Sequence, residues 1–118
     1  MSEAIDEFRQ AVRLQPDWLQ AVSSLAWALA TVPAAPLREP EQAIRLAERA
    51  AELTDRRDAG VLDILAAAQA AAGLFDAAVT TCDAALALNP QAPLAAAIRQ
   101  RQALYNQRRP YISNDGTP

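Results

Sequence analysis

Apolar residues recur at helical spacing from the start of the chain. Ile5, Phe8 and Val12 follow one another at steps of three and four, the spacing of one face of an α-helix. The same pattern returns in five further segments, which proline, glycine and aspartate residues separate from one another. The predicted helices cover residues 3–14, residues 18–31, Pro40 to Leu53, Asp58 to Gly73, Asp76 to Asn89, and Pro93 to just before Pro110. Asp58 and Asp76 are the expected N-terminal caps of the fourth and fifth helices. We therefore expect an all-α chain of about six antiparallel helices with short connections.

Two kinds of helix alternate along the chain, because their small and apolar residues repeat at fixed steps. The first kind shows steps of four, three and five residues at Ala4, Phe8, Ala11 and Pro16, at Ala43, Ala47, Ala50 and Asp55, and at Ala78, Cys82, Ala85 and Pro90. The second kind shows steps of three, one and three at Val22, Leu25, Ala26 and Leu29, and at Leu62, Leu65, Ala66 and Gln69. Such self-similarity is typical of stacked helical repeats.

This combined spacing resembles the tetratricopeptide repeat (TPR) family, whose unit is a pair of antiparallel helices about 34 residues long. The resemblance implies a right-handed α-α superhelix within a TPR-like domain at residues 1–110. Its parts would be a half unit at 3–16, a unit with a long loop at 17–55, a unit at 57–90 and a capping helix at 93–108, followed by a flexible tail at 111–118. Since the half unit lacks its first helix, we expect a fragment of a larger protein.

Composition excludes most enzyme chemistry. The chain has no His, one Cys, and 11 basic residues that are all Arg. Imidazole catalysis, Schiff-base lysines and multi-cysteine zinc sites are therefore excluded, and we expect neither an enzyme nor a cofactor nor a metal. Cys82 is expected to be a buried structural thiol. A carboxylate pair among Asp63, Asp76 and Asp83 has no support as a catalytic site.

Net charge and hydropathy limit the partners further. The net charge is −3, so nucleic acid is an unlikely partner, although a cluster of arginines near the C-terminus could contact phosphates. Its members are Arg99, Arg101, Arg108 and Arg109. The chain has neither an apolar segment long enough to span a membrane nor a start typical of a secretory signal, so we expect a cytoplasmic protein without membrane insertion. The lysine-free, Ala-, Arg- and Pro-rich usage indicates a bacterial source.

The resemblance also implies where a partner binds. In the TPR family the first helix of each pair lines a concave groove that holds partner segments. The groove residues it implies here are Gln20, Ser23, Trp27, Asp63, Ala67, Arg101 and Tyr105. Trp27 is the expected anchor, and the alternative is an indole packed under the Pro33–Pro40 loop. The Lys, Asn and Arg set that grips acidic chain ends in part of the family is missing, so an apolar or mixed-charge peptide is expected.

A second interpretation needs no peptide ligand. The incomplete first unit should leave Ile5, Phe8 and Trp18 partly uncovered, which favours pairing with another copy of the chain. The chain would then be a self-association or spacer segment of a larger protein. For the chain end, Tyr105 and Tyr111 can fold the start of the tail against the last helix, or Tyr111 can extend into solvent.

Overall fold

Six α-helices make up most of the structure, a computed structural model that describes residues 2–113 of the chain. They are α1 (Ser2–Leu14), α2 (Leu19–Thr31), α3 (Pro40–Leu53), α4 (Ala59–Ala71), α5 (Phe75–Ala87) and α6 (Ala92–Asn106), with a short 3₁₀ helix at Ala35–Leu37. No strand occurs within this range, so the predicted all-α class and the number of helices are confirmed. None of these helices is both long enough and apolar enough to cross a membrane.

Local sequence signals account for several helix ends. The Asp58 carboxylate accepts a hydrogen bond from the Val61 backbone N–H at 3.2 Å, so it caps α4 as predicted. Gly73 follows α4 with a φ of 84°, a left-handed conformation that glycine adopts without steric cost. The prediction that Asp76 caps α5 is wrong, because the flanking residue is Leu74 and Asp76 lies inside the first turn. There its carboxylate accepts a hydrogen bond from Arg108 at 3.0 Å.

Alanine fills many of the positions where helices cross. Ala26, Ala66, Ala78 and Ala85 have no exposed surface and belong to one cluster of buried apolar residues that joins α2 through α6. Short side chains allow the helix axes to approach closely, since the residues at a crossing determine the interaxial distance. A second cluster at the α1 end includes Ile5, which is buried rather than partly uncovered as the sequence predicted.

The helices pack mainly against their neighbours in the sequence, and α4 makes two further contacts. Each helix packs against the next, and α4 also packs against both α2 and α6. Within residues 2–113, α3 makes no comparably extensive approach to α1 or α5. Helices α2, α4 and α6 therefore share one side of the molecule, which we call the α2–α4–α6 face. The radius of gyration, 13.2 Å, matches the roughly 13.5 Å of a compact domain of this length.

The chain after α6 turns back onto this face. Arg108 has a φ of 62°, and the Arg109 backbone N–H donates to the Leu104 carbonyl, which reverses the chain direction. The Ser113 backbone N–H then donates to the Thr31 carbonyl at the end of α2, at 2.7 Å. Residues 111–113, which the sequence assigns to a flexible tail, thus lie against α2. The remaining tail, residues 114–118, lies outside the described residues.

Candidate functional site

A buried ion pair joins α6 to α4. Arg101 Nη1 donates to Asp63 Oδ2 at 2.6 Å, and the two side chains are only 18% and 7% exposed. Both helices belong to the α2–α4–α6 face, where their packing brings the two residues together. Because the charges neutralise each other, neither is free to recognise a charged partner group.

Two aromatic rings complete the surroundings of Arg101. Its guanidinium carbon lies 5.0 Å from the centroid of the Trp27 ring and 4.9 Å from that of the Tyr111 ring. The rings are 5.5 Å apart and tilted by 36°, so the three groups form a triangle of mutual contacts. These distances fall within the range of cation–π and aromatic pairing. We call Trp27, Asp63, Arg101 and Tyr111 the Arg101 cluster, which joins α2, α4, α6 and the tail.

Several polar atoms of the cluster and of the neighbouring Tyr105 are buried without a hydrogen-bond partner. They are Asp63 Oδ1, Arg101 Nε and the Tyr105 hydroxyl. Burial raises the pKa of Asp63, and the opposing attraction of Arg101 only partly offsets it. Burial likewise raises the pKa of Tyr105, with a smaller contribution from the Asp63 charge.

The thiol of Cys82 has no surface exposure and lies in the core. Burial, together with the nearby Asp63 and Asp83 charges, raises its pKa to about 12. A thiol that stays protonated at neutral pH is a poor nucleophile. The described residues also contain no group of three or more acidic or cysteine side chains that could hold a metal ion.

An apolar cavity of about 390 Å³ adjoins Trp27. Its walls come from α1, α2, α4 and the tail, and include Phe8, Trp27, Ile64 and Ser113. Ser23 Oγ also belongs to the wall and is buried without a hydrogen-bond partner. The cavity therefore has a largely apolar lining with few polar side chains, as small binding sites commonly do.

The structure brings together only part of the implied groove. Trp27, Asp63 and Arg101 meet in the Arg101 cluster, and Ser23 joins Trp27 at the cavity. Gln20 is exposed and lies with Phe8 and Trp18 at a separate, smaller depression.

Two of the implied residues have no surface to offer a partner. Ala67 and Tyr105 are fully buried, and Tyr105 is among the largest side chains of the core. Direct contact between either residue and a partner, as the resemblance implied, does not fit this arrangement. Ala67 lies on α4, which packs against α2, α3, α5 and α6, and Tyr105 lies on α6, which packs against α5 and α4.

Sequence reasoning anticipated only part of the tail's position, since it offered Tyr111 packed against the last helix as one alternative but no contact with α2. Tyr111 lies on Trp27 of α2 as well as beside Arg101 of α6, and Ser113 bonds to the end of α2. The available signal was an aromatic residue directly after Pro110. It indicated a side chain able to pack against the last helix, without indicating the contact with α2.

The C-terminal arginines are partly committed to internal pairs. Arg101 binds Asp63, and Arg108 binds Asp76. The Arg108 side chain also lies 6.0 Å from the centre of the Phe75 ring. Two members of the proposed phosphate-binding cluster thus already have carboxylate partners, which weakens the nucleic-acid alternative.

Comparison with known proteins leaves the family open. No protein-family model matches the chain, and no curated protein or solved structure is significantly similar to it. The function is therefore argued from the residues and the geometry above.

Proposed function

We propose that this chain is a non-catalytic, TPR-type interaction module that binds an extended segment of another protein on the α2–α4–α6 face. The observation that carries the proposal is the apolar cavity beside Trp27, which opens next to the Arg101 cluster. Aromatic side chains at the edge of an apolar cavity are typical anchors of protein interfaces. A partner's apolar side chain would fill the cavity and pack against Phe8, Trp27 and Ile64.

The packing pattern supports the repeat architecture within this proposal. In a curved stack of helix pairs, the helices on the inner side approach one another more closely than those on the outer side. The approach of α4 to α2 and α6, without an equivalent for α3, agrees with such curvature. The fully buried alanines at repeated positions agree with it as well.

The charge distribution favours an apolar partner segment. Arg101 is paired with Asp63, so it offers no free cation to an acidic chain end. The cavity wall consists mainly of Phe8, Trp27, Ile64 and small residues. The proposal also places the module in the cytoplasm, a setting in which the unpaired Cys82 thiol would stay reduced.

Peptide display on the intact chain tests this function. Random twelve-residue peptides are selected against the immobilised protein, and the enriched sequences are synthesised with a fluorescent label. Anisotropy titrations then compare the parent with Trp27→Ala and with the matched control Trp18→Ala. We expect Trp27→Ala to weaken binding by about tenfold or more and Trp18→Ala to leave it nearly unchanged.

Thermal melts of both variants show that loss of binding does not reflect loss of folding. If no peptide is enriched, or if the enriched peptides bind Trp27→Ala as tightly as the parent, the proposed site is wrong.

Self-association is a second candidate function, supported by an exposed apolar patch at one end of the molecule. Leu14 ends α1 and is 73% exposed, and Trp18 immediately precedes α2 and is 48% exposed. The exposed Leu53 ends α3 near the same end, since Arg49 on α3 donates to Asp17 at 2.8 Å. Exposed apolar side chains at one end of the molecule favour contact with a second copy.

A further inference from the structure

We infer that the α2–α4–α6 face recognises an extended segment with an aromatic residue followed, two positions later, by a large apolar residue. We further infer that residues 111–113 of the chain occupy this site as a weak internal ligand. The inference rests on the proposed function and names the chemistry of the partner segment.

The seated tail shows the geometry of recognition. The Tyr111 ring lies against Trp27 and Arg101, while the Ser113 backbone N–H donates to the Thr31 carbonyl. Tyr111 is half-buried, Ile112 is exposed and Ser113 is buried, so alternate side chains face the protein. This alternation is the pattern of an extended peptide bound to a surface.

The end of α2 supplies the backbone contact. Thr31 is the last residue of α2, and the last four carbonyl groups of a helix have no partner within the helix. The Thr31 carbonyl is thus available to any peptide backbone with an N–H at the right position. Only a proline at that position would prevent the bond.

The identity of residue 113 explains why the internal ligand is weak. Ser113 lines the apolar cavity beside Trp27, together with Phe8 and Ile64. A serine side chain fills little of a cavity of about 390 Å³. A segment with leucine at the same place would keep the aromatic and backbone contacts and would also bury apolar surface in the cavity.

Displacement by such a segment is feasible because the described tail that lies on the face is short, residues 111–113. The described contacts of residues 111–113 include one ring pair, one cation–π contact and one backbone hydrogen bond. The short connection to α6 keeps the tail at a high local concentration, so it competes with a partner despite its short length.

A set of labelled peptides tests the inference on the full chain. The first peptide is Arg-Pro-Tyr-Ile-Ser-Asn, the sequence of residues 109–114, and two others carry the changes Ser113→Leu or Tyr111→Ala. The proteins are the parent, Tyr111→Ala, which removes the competing ring, and the control Ile112→Ala, which changes an exposed neighbour. Binding is measured by fluorescence anisotropy.

We expect the Ser113→Leu peptide to bind the Tyr111→Ala protein about tenfold more tightly than the first peptide does. It should bind the parent and Ile112→Ala more weakly than it binds Tyr111→Ala, because their own Tyr111 competes. The Tyr111→Ala peptide should show little binding to any of the proteins. Equal affinity of the three peptides, or equal affinity of one peptide for all the proteins, would overturn the inference.

The docked tail is tested separately by the indole N–H signals in NMR spectra, assigned with a Trp18→Phe variant. Tyr111→Ala should shift the Trp27 signal and leave the Trp18 signal in place, while Ile112→Ala should shift neither. An unmoved Trp27 signal means that the tail does not occupy the site.

The outcome for this inference can be separated from that for the proposed function. If displayed peptides bind through Trp27 but lack the aromatic and apolar pair and do not respond to Tyr111→Ala, the function stands and the inference fails. If no peptide from either experiment binds, both fail.

Discussion

Arg101 and Asp63 are the residues whose interaction most affects stability at the site. Their side chains are largely buried, whereas those of the Arg56–Glu48 pair are 54% and 45% exposed. Removing one member of a buried pair leaves an uncompensated charge, whereas exposed pairs contribute little because water screens them. The two pairs therefore allow a matched comparison.

Arg101→Met should lower the free energy of unfolding by about 3 kcal/mol, because Asp63 loses its partner. The change also removes the cation–π contacts with Trp27 and Tyr111 while keeping the apolar stem of the side chain. Arg56→Met should cost less than about 1 kcal/mol. Urea denaturation of both variants measures the two costs, and similar values for both would show that the buried pair has no special role.

The pH dependence of stability should reveal the protonation of Asp63. Burial raises the pKa of this carboxyl above 3.8, so the folded state holds the proton more tightly than the unfolded chain does. Its contribution is fully present below pH 3.8 and is lost as the pH rises through the folded-state pKa. Compared with Asp63→Asn, the parent should therefore lose stability as the pH rises from 3.8, in denaturation curves recorded at several pH values.

The opposite trend, with the parent gaining on Asp63→Asn as the pH rises, would mean that attraction to Arg101 outweighs the cost of burial. A Glu48→Gln variant is the control. It removes an exposed carboxylate that pairs with Arg56 on the surface and leaves the buried pair of Asp63 and Arg101 in place.

Sequence reasoning at the scale of residues identified Trp27, Asp63 and Arg101 but not their mutual contact. Asp63 and Arg101 are 38 positions apart, and helical spacing relates only residues on the same helix. Their pairing depends on how α4 stacks on α6, which follows from the packing of the whole molecule. The sequence therefore placed Asp63 and Arg101 in one groove without predicting the ion pair that the structure shows.

At the scale of helices, the close approach of α4 and α5 depends on small side chains. Ala78 has no exposed surface and lies in the main core cluster, whereas Ala77 on the same turn is exposed. Native cores are packed densely enough that added methyl groups force neighbouring side chains or backbones to move.

Ala78→Leu should lower the free energy of unfolding by about 1–3 kcal/mol, because leucine overpacks this crossing. Ala77→Leu adds the same atoms on the solvent side of α5 and should change stability by less than about 0.5 kcal/mol. Chemical or thermal denaturation of the two variants gives the comparison. If Ala78→Leu melts as the parent does, Ala78 does not limit the approach of the helices.

The helices themselves were predictable because their signals are local. Apolar spacing, the Asp58 cap and the left-handed Gly73 act within a few residues of one another. The incorrect cap at Asp76 has a physical reason. An acidic residue is favourable anywhere in the first turn of a helix, so its presence does not locate the first residue.

At the scale of the whole molecule, the exposed patch of Leu14, Trp18 and Leu53 is where a second copy would bind. Burying Ile5 does not remove this patch, since the exposed side chains lie at the ends of α1 and α3 and before α2. The patch lies at the end of α2 opposite Thr31, so pairing there would leave the tail contact intact.

We expect the apparent mass in light scattering to rise with concentration across a dilution series. Leu14→Gln combined with Trp18→Gln should keep the chain monomeric by removing apolar surface from the contact. Leu74→Gln, a change at another exposed leucine, is the control and should associate as the parent does. A parent that stays monomeric at high concentration contradicts self-association.

The position of the tail was the part of the site least accessible to sequence reasoning. Its contacts join residues of the second helix to residues that follow the last one, Thr31 with Ser113 and Trp27 with Tyr111. Repeat spacing predicts how a helix meets its neighbours, and residues 111–113 belong to no repeat. The tail is directed towards α2 by the turn after α6, in which Arg108 adopts a left-handed conformation.

Because Cys82 is buried, labelling of its thiol can report local opening of the helices. A sulfhydryl reagent can reach this thiol, the single one in the sequence, only when α5 separates from the helices around it. At reagent concentrations low enough that reclosing is faster than labelling, the labelling rate is proportional to the equilibrium population of the open state. A ligand that stabilises the closed packing of the neighbouring helices would then slow the labelling of Cys82 without contacting its sulfur atom.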